Sequence, residues 1–152
     1  MRGSPEDKRA NTLFLKYKRQ IENSIGKQST ALGQLDEIGH FLFANKWAGV
    51  YTADESPNFT GGRKYAIFNL DKKGEPGSHW VAVVKKSAKS IIIWDSFGRQ
   101  AQEILPELTN KYSIIEPDRD TDQRIDENDC GQNSLSFLML YDRQGWRYAR
   151  HI

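Results

Sequence analysis

The chain has 152 residues, of which 38% are hydrophobic, 28% charged and 11% aromatic, and its formal net charge is +2. This length and composition are typical of one globular domain, so residues 1–152 are interpreted as a single domain with a buried core. The small net charge does not by itself indicate nucleic-acid binding. Because no apolar run approaches the roughly 20 residues that span a bilayer, we expect no membrane association.

The cysteine content limits the disulfides that the protein can form and indicates the kind of cellular compartment that suits it. Cys130 is the only cysteine in the sequence, which excludes an intramolecular disulfide. The segment from Met1 to Arg19 is charged and lacks the apolar stretch of a secretory signal. A single reactive thiol therefore favours a reducing compartment.

Two helices are predicted in the first third of the chain. Ser4 is suited to an N-cap and Pro5 to the first helical position, and apolar residues then recur at helical spacing until Gly26. We expect this helix, within residues 1–30, to pack on the rest of the domain. A second helix is predicted over Leu35–Asn45, with three apolar side chains directed inward: Ile38, Phe41 and Leu42.

The middle of the chain is predicted to form three strands. They follow a loop over Thr52–Lys64 that is rich in Gly, Pro and Asn. The strands are Tyr65–Leu70, His79–Val84 and Ile91–Asp95. The connections between them are short, which favours antiparallel neighbours.

The last third combines short elements with one apolar helix. A helix is predicted near Gln100–Asn110, which Pro106 starts or interrupts, and Tyr112–Glu116 is a candidate fourth strand. Pro117–Asp129 is predicted to be a polar loop. The following helix over Gly131–Gln144 is so dense in apolar residues that we expect burial on most of its sides.

His79 and Asp95 lie at opposite ends of the hairpin formed by the second and third predicted strands. A turn centred near Ser87 places three pairs opposite each other on one face: His79 with Asp95, Val81 with Ile93, and Val83 with Ile91. Opposed Cβ atoms are about 4.5–5.5 Å apart, so Asp95 could accept a hydrogen bond from the imidazole. If each residue is considered alone, the plainer interpretation is that His79 is a surface residue of a strand and Asp95 a turn residue at the end of a strand. Their pairing favours a functional interpretation.

A lone cysteine usually packs as a small hydrophobic residue. Cys130, however, lies at the start of the apolar helix, behind Asn128 or Asp129 as the cap, where the helix N-terminus and a nearby imidazolium stabilise a thiolate. Negative charge raises the pKa of a thiol, and acidic residues crowd the preceding loop. We expect the effect of His79 on the thiol to be larger than theirs, because exposed carboxylates are screened by water and salt. Those acids are Asp118, Asp120, Asp122, Asp126, Glu127 and Asp129.

Gln123 is a candidate for stabilising negative charge during acyl transfer. It lies seven residues before Cys130 and carries a side-chain amide donor. A fixed donor directed at the developing oxyanion lowers the barrier, and the backbone N–H of Cys130 can supply a second one. The plainer interpretation is a solvated loop glutamine, and the interval to Cys130 is what argues against it.

The other histidines and the basic residues carry weaker signals. Neither His40 nor the penultimate His151 has cysteine partners at zinc spacing, so no metal site and no cofactor is predicted. We expect His40 to be packed or half-exposed and His151 to be frayed. Five basic residues of the first helix are expected to form a solvated face: Lys8, Arg9, Lys16, Lys18 and Arg19.

Four short segments, three of which contain the candidate catalytic residues, together resemble the adenovirus-type maturation proteases (adenains) and their relatives in virophages and large DNA viruses. The resemblance covers roughly Trp47 to Tyr141 and implies an α+β fold with a central mixed or antiparallel sheet between helices. It implies that His79 is the general base, Asp95 its orienting acid, Cys130 the nucleophile and Gln123 the oxyanion donor. The matching strings are Tyr65-Ala-Ile-Phe-Asn-Leu70, Gly77-Ser78-His79-Trp80, Trp94-Asp95-Ser96-Phe97-Gly98, and Gln123 followed after six residues by Cys130-Gly131.

The resemblance also implies a function. It is that of a cysteine endopeptidase that cleaves viral capsid or core precursor polypeptides during virion maturation, in the virion or in the cytoplasm or virus factory of an infected host cell. Adenains are activated by a viral peptide and by DNA. This chain has no second cysteine to hold such a peptide by a disulfide, so the need for a peptide or DNA activator is left open.

Three alternatives accompany this interpretation. The wider clan includes SUMO- and ubiquitin-like-protein proteases, so a deubiquitinase or SUMO-like protease is the first. An acyltransferase is the second, because acyl transfer and hydrolysis pass through the same thioester and use the same Cys–His pair. The third is a non-enzymatic pseudoprotease carried in a particle, which the presence of all four groups disfavours.

Overall fold

The computed structural model describes residues 4–26, 32–70, 79–117 and 129–152. Within these ranges the helices are α1 (Pro5–Ile25), α2 (Leu32–Phe43), a 3₁₀ turn (Ala44–Lys46), α3 (Ala101–Ile104), α4 (Pro106–Lys111), α5 (Cys130–Gln144) and α6 (Trp146–Ala149). The strands are β1 (Trp47–Thr52), β2 (Tyr65–Asn69), β3 (Trp80–Lys85), β4 (Ser90–Trp94) and β5 (Ser113–Ile115).

The described strands form one mixed sheet in the order β1-β2-β3-β4-β5. The two outer pairs are parallel, and β3 runs antiparallel to both β2 and β4. Helices cover both faces of this sheet. The predicted α+β arrangement, with a mixed sheet flanked by helices and an antiparallel centre, is therefore confirmed.

Local sequence signals account for α1. The Ser4 hydroxyl accepts a hydrogen bond from the Asp7 amide at 3.0 Å, and the Asp7 carboxylate accepts one from the Ser4 amide at 3.3 Å, which completes a capping box. The helix ends at Gly26, whose φ of +87° is in the region that favours glycine. Its apolar face is buried and packs against α5. The buried residues of that face are Leu13, Phe14, Tyr17 and Ile21.

The central strands are buried on both faces, which explains their nearly continuous apolar sequences. One face packs against α1, α2, α5 and α6, and it carries Trp80, Ala82, Val84, Ile92 and Trp94. The other face packs against α3 and α4, and it carries Val81, Val83, Ile91 and Ile93. The prediction that these last four residues share one face is confirmed.

The register of the β3–β4 hairpin differs from the predicted one by two residues. Val83 pairs with Ile93, and Lys85 pairs with Ile91. The reason is the turn: the Lys86 amide donates to the Ser90 carbonyl at 3.0 Å, so the turn is centred on Ala88, one residue later than predicted. Because a shift of two residues preserves the alternation of side chains, every residue stays on its predicted face.

Two further features differ from the prediction. Strand β1 has no predicted counterpart, because Gly49, with φ of +123°, interrupts its alternation with a bulge against β2. Phe41 is not directed inward, and it is 81% exposed on α2. The helix predicted near Gln100–Asn110 is interrupted at Pro106, one of the two outcomes expected there, and Pro106 starts the second short helix, α4.

Candidate active site

His79 and Asp95 form a buried hydrogen-bonded pair at one edge of the sheet. His79 directly precedes β3, Asp95 directly follows β4, and their side chains are 6% and 0% exposed. The distance from His79 Nε2 to Asp95 Oδ1 is 2.5 Å. Continuing the observed ladder puts Val81, not His79, opposite Asp95, so the contact is a diagonal one. Diagonal neighbours remain within reach of longer side chains.

The turn after β4 holds the Asp95 carboxylate from several sides. Oδ1 also accepts a hydrogen bond from the Phe97 amide at 3.1 Å. Oδ2 accepts two from Arg99, one from its amide at 3.2 Å and one from Nε at 2.9 Å. The Gly98 amide donates to the Asp95 carbonyl at 2.8 Å, and its φ of +73° suits glycine.

These contacts keep Asp95 ionised. Burial raises the pKa of the carboxyl group, but the hydrogen bonds from His79, Arg99 and the Phe97 amide outweigh it and lower the pKa to about 2. A fixed negative charge therefore faces the imidazole at neutral pH.

The His79 ring is oriented by two neighbours and adjoins a third. Asp95 holds Nε2, and the Phe97 ring stacks on the imidazole with centroids 4.2 Å apart and planes 25° apart. Burial lowers the pKa of His79, but hydrogen bonding to Asp95 and then the nearby Cys130 outweigh it and raise the pKa. Nδ1 is buried, and no group in the described part of the chain forms a hydrogen bond of standard geometry with it. The thiol lies near enough to the ring to raise the pKa of His79.

Cys130 is tied to the strand residue that follows His79. It is the first residue of α5 and 4% exposed, and its Sγ accepts a hydrogen bond from the Trp80 amide at 3.4 Å. One turn further along α5, the Ser134 hydroxyl donates to the Trp80 carbonyl at 3.2 Å. Because both backbone groups of Trp80 bind the first turn of α5, the thiol is held against the start of β3, next to the residue that follows His79.

Asp129 occupies the N-cap position of α5, but its side chain does not cap the helix. Its carboxylate instead accepts hydrogen bonds from Lys18 Nζ at 2.7 Å and from Asn133 Nδ2 at 3.0 Å. The side chains of Lys18 and Asp129 are only 16% and 11% exposed. Two expectations are therefore wrong: Asp129 is not a solvent-screened loop acid, and Lys18 does not belong to a solvated helix face. The acid next to the thiol is balanced by an ion pair.

Only some of the other residues singled out in the sequence lie within the described ranges. Gln123, the loop acids from Asp118 to Glu127, and the alternative cap Asn128 lie outside the described residues. The prediction of a frayed His151 is wrong, because its side chain is 13% exposed and Nδ1 lies 2.7 Å from Asp7 Oδ1. His40 is well exposed, at 65%, and lies 3.7 Å from Asp36.

Nothing in the described residues suggests a metal or a membrane span. The ranges 4–26, 32–70, 79–117 and 129–152 contain no group of three or more His, Cys, Asp or Glu side chains able to hold a metal ion. None of the helices in those ranges has the length and apolar character needed to cross a bilayer.

Sequence reasoning missed three parts of the site: the Arg99 side chain, the Trp80 backbone and Lys18. The first has an indirect local signal: an aspartate often accepts hydrogen bonds from amides just after it in a turn that ends at glycine, and this turn carries Arg99 next to the carboxylate. The other two have none, because they depend on how α5 docks against the sheet and α1.

The arrangement is suited to thiolate chemistry. A fixed carboxylate stabilises the charged imidazole, and the thiol lies at a helix N-terminus with the Trp80 amide as a donor. The backbone N–H of Cys130 is among the first four of α5, which have no partner within the helix and can bind a developing oxyanion.

Comparison with models of protein families gives no match to the chain, and neither does comparison with curated proteins.

Proposed function

We propose that the protein is a cysteine endopeptidase in which Cys130 is the nucleophile, His79 the general base and Asp95 the acid that orients the imidazole. The observation that carries the proposal is the 2.5 Å contact between His79 Nε2 and Asp95 Oδ1 beside a thiol held by the Trp80 amide. A buried structural cysteine needs none of these neighbours. Their combination is the nucleophile, base and orienting group that covalent catalysis requires.

The proposed reaction has two halves. In the first, His79 takes the proton of the Cys130 thiol, the sulfur attacks the peptide carbonyl, the C–N bond breaks, and the leaving amine takes that proton from the His79 imidazolium. In the second, His79 accepts a proton from water, the resulting hydroxide attacks the thioester, and the thiolate leaves. The Cys130 N–H and, by resemblance, the Gln123 amide stabilise the oxyanion in both halves.

The substrate class comes from the resemblance to the adenains. We propose capsid or core precursor polypeptides of a DNA virus as substrates, with the virion or the infected cell as the place of action.

The test is digestion of virion precursor proteins by the full chain, followed by mass spectrometry of new N-termini. New termini that form with the unchanged protein and are missing with Cys130→Ala support the endopeptidase. If the protein reacts only with ubiquitin or SUMO probes, its substrates are conjugates of those proteins and not virion precursors. Transfer of an acyl group from acyl-CoA to a protein, without new termini, replaces hydrolysis by acyl transfer. No reaction in any arm contradicts the proposed function.

A further inference from the structure

Two side chains of the turn after β4 contact the His79–Asp95 pair and have no acid–base chemistry of their own at neutral pH. Arg99 Nε donates to Asp95 Oδ2 at 2.9 Å, and the Phe97 ring stacks on His79. The guanidinium carbon of Arg99 also lies 5.4 Å from the centroid of the Phe97 ring. Arg99 is therefore in contact with the acid directly and with the imidazole through one intervening ring.

The contacts of Asp95 divide cleanly between its two oxygens. His79 and the Phe97 amide bind Oδ1, while the backbone amide and Nε of Arg99 bind Oδ2. Rotation of a carboxylate about its last side-chain bond is intrinsically soft, so binding one oxygen does not fix its plane. Donors on the second oxygen restrict this rotation. The Arg99 side chain thus helps to determine where Oδ1 is presented to the imidazole.

The stacking of Phe97 supplies the corresponding restraint on His79. The last torsion of a histidine side chain is also soft, and the ring tilts unless both faces and edges are held. The Phe97 ring covers one face of the imidazole, with the ring centroids 4.2 Å apart. Because Phe97 is 41% exposed, the core does not enclose it, and contact with Arg99 helps to hold the ring in position. Arginine is suited to this task, because its planar group binds a carboxylate and stacks on an aromatic ring at the same time.

We propose that Arg99 is a positioning residue that aligns both members of the His79–Asp95 pair, Asp95 through Oδ2 and His79 through Phe97. The proposal rests on the proposed function of the Cys130 site, since alignment matters only if His79 transfers protons. The contrasting view is that Arg99 only stabilises the turn. Its side chain is 40% exposed, and exposed ion pairs contribute little to stability.

Three variants separate these views in steady-state peptide cleavage. Arg99→Gln removes the charge and the forked group, and Arg99→Lys keeps only the charge. Arg147→Gln is the matched control, because Arg147 also lies 2.9 Å from a carboxylate, that of Glu6, outside the site. We expect kcat to fall by about tenfold in Arg99→Gln with KM unchanged, and Arg99→Lys to resemble it.

A second substitution tests the route through Phe97. Phe97→Leu removes the stacked ring and keeps the backbone amide that binds Asp95. If Arg99 acts on His79 through this ring, the losses in kcat from Arg99→Gln and Phe97→Leu are not additive in the double variant. Full additivity overturns that route. Wild-type kcat in Arg99→Lys overturns alignment in favour of charge alone, and values within about twofold in both Arg99 variants overturn the proposal.

An NMR measurement makes the test independent of the proposed function. The His79 Nε2–H proton, buried in a hydrogen bond to Asp95, is expected to give a low-field, exchange-protected signal in the full-length protein. Arg99→Gln is expected to broaden or abolish it well below the unfolding temperature, while Arg147→Gln leaves it unchanged. If no substrate is cleaved, the proposed function fails while this signal still decides the alignment. An unchanged signal in Arg99→Gln overturns the inference by itself.

Discussion

His79 is hydrogen-bonded to Asp95 although the two residues are not opposite each other in the β3–β4 ladder. The ladder puts Val83 opposite Ile93, which leaves His79 beyond the strand end, and the 2.5 Å contact closes diagonally. A diagonal contact is less strongly constrained by the sheet than a directly opposed one. The hydrogen bonds of the Asp95 turn and the stacked Phe97 ring provide the constraint that the ladder does not.

The first prediction concerns the proposed nucleophile. Cys130→Ala is expected to abolish turnover and to lower the free energy of unfolding by only about 1 kcal/mol, because it removes one weak sulfur hydrogen bond and little volume. Peptide cleavage and denaturant unfolding measure the two effects. As Cys130 is the only cysteine, one equivalent of alkylating reagent is expected to stop the reaction in step with labelling. Peptidase activity retained by Cys130→Ala contradicts the assignment.

The second prediction concerns the rate contributed by Asp95. Asp95→Asn removes the charge that stabilises the His79 imidazolium, and we expect kcat to fall by about 10²–10⁴. The loss is expected to be smaller than in His79→Ala or Cys130→Ala, because asparagine still orients the ring. Steady-state kinetics of the three variants give the order. If Asp95→Asn and Asp95→Ala both stay within about twofold of wild type, Asp95 does not serve His79.

The third prediction concerns acid stability. The folded pKa of Asp95, about 2, is below the ordinary 3.8, so its contribution is present above pH 3.8 and is lost as the pH falls towards 2. This contribution amounts to about 2 kcal/mol of unfolding free energy. The difference in stability between wild type and Asp95→Asn, measured by denaturant unfolding, is therefore expected to shrink from pH 6 to pH 2.5. A constant difference across that range contradicts the assignment.

The fourth prediction concerns the ion pair between Lys18 and Asp129. Lys18→Met leaves an unbalanced carboxylate beside Cys130, and we expect alkylation of the thiol near neutral pH to slow by about three- to tenfold. Asp129→Asn in the same chain removes that charge and is expected to restore the rate. Lys16→Met is the control, since Lys16 is an exposed lysine of the same helix. Equal alkylation rates in Lys18→Met and Lys16→Met would show that the pair does not affect the thiol.

The fifth prediction concerns Gln123. If its amide stabilises the oxyanion, Gln123→Ala is expected to lower kcat by about 10²–10³ with little change in KM, because the interaction strengthens only as charge develops. Gln20→Ala, at an exposed position of α1, is the control. A change confined to KM would indicate that Gln123 contacts bound substrate and does not stabilise the transition state.

Much of the fold could be predicted from the sequence because its signals are local. The Ser4 cap and the apolar spacing that follows determine α1, and the apolar run after Cys130 determines a helix that is buried from Cys130 through Leu140. The three central strands were likewise evident from their β-branched and aromatic residues. Strand β1 was not, since Gly49 breaks its pattern and only pairing with β2 makes it a strand.

The residue types available for chemistry can be read directly from the amino-acid chain. They are one thiol, an imidazole and a carboxylate at the ends of one hairpin, and an amide, Gln123, which lies outside the described residues. How the first three meet depends on long-range packing in the folded protein. The turn at Ser87–Ser90 sets the register, and α5 brings Cys130 to the Trp80 backbone from 50 residues away. The Lys18–Asp129 pair joins residues 111 apart. Such contacts depend on how helices dock on the sheet, and docking depends on the whole core, which no local pattern encodes.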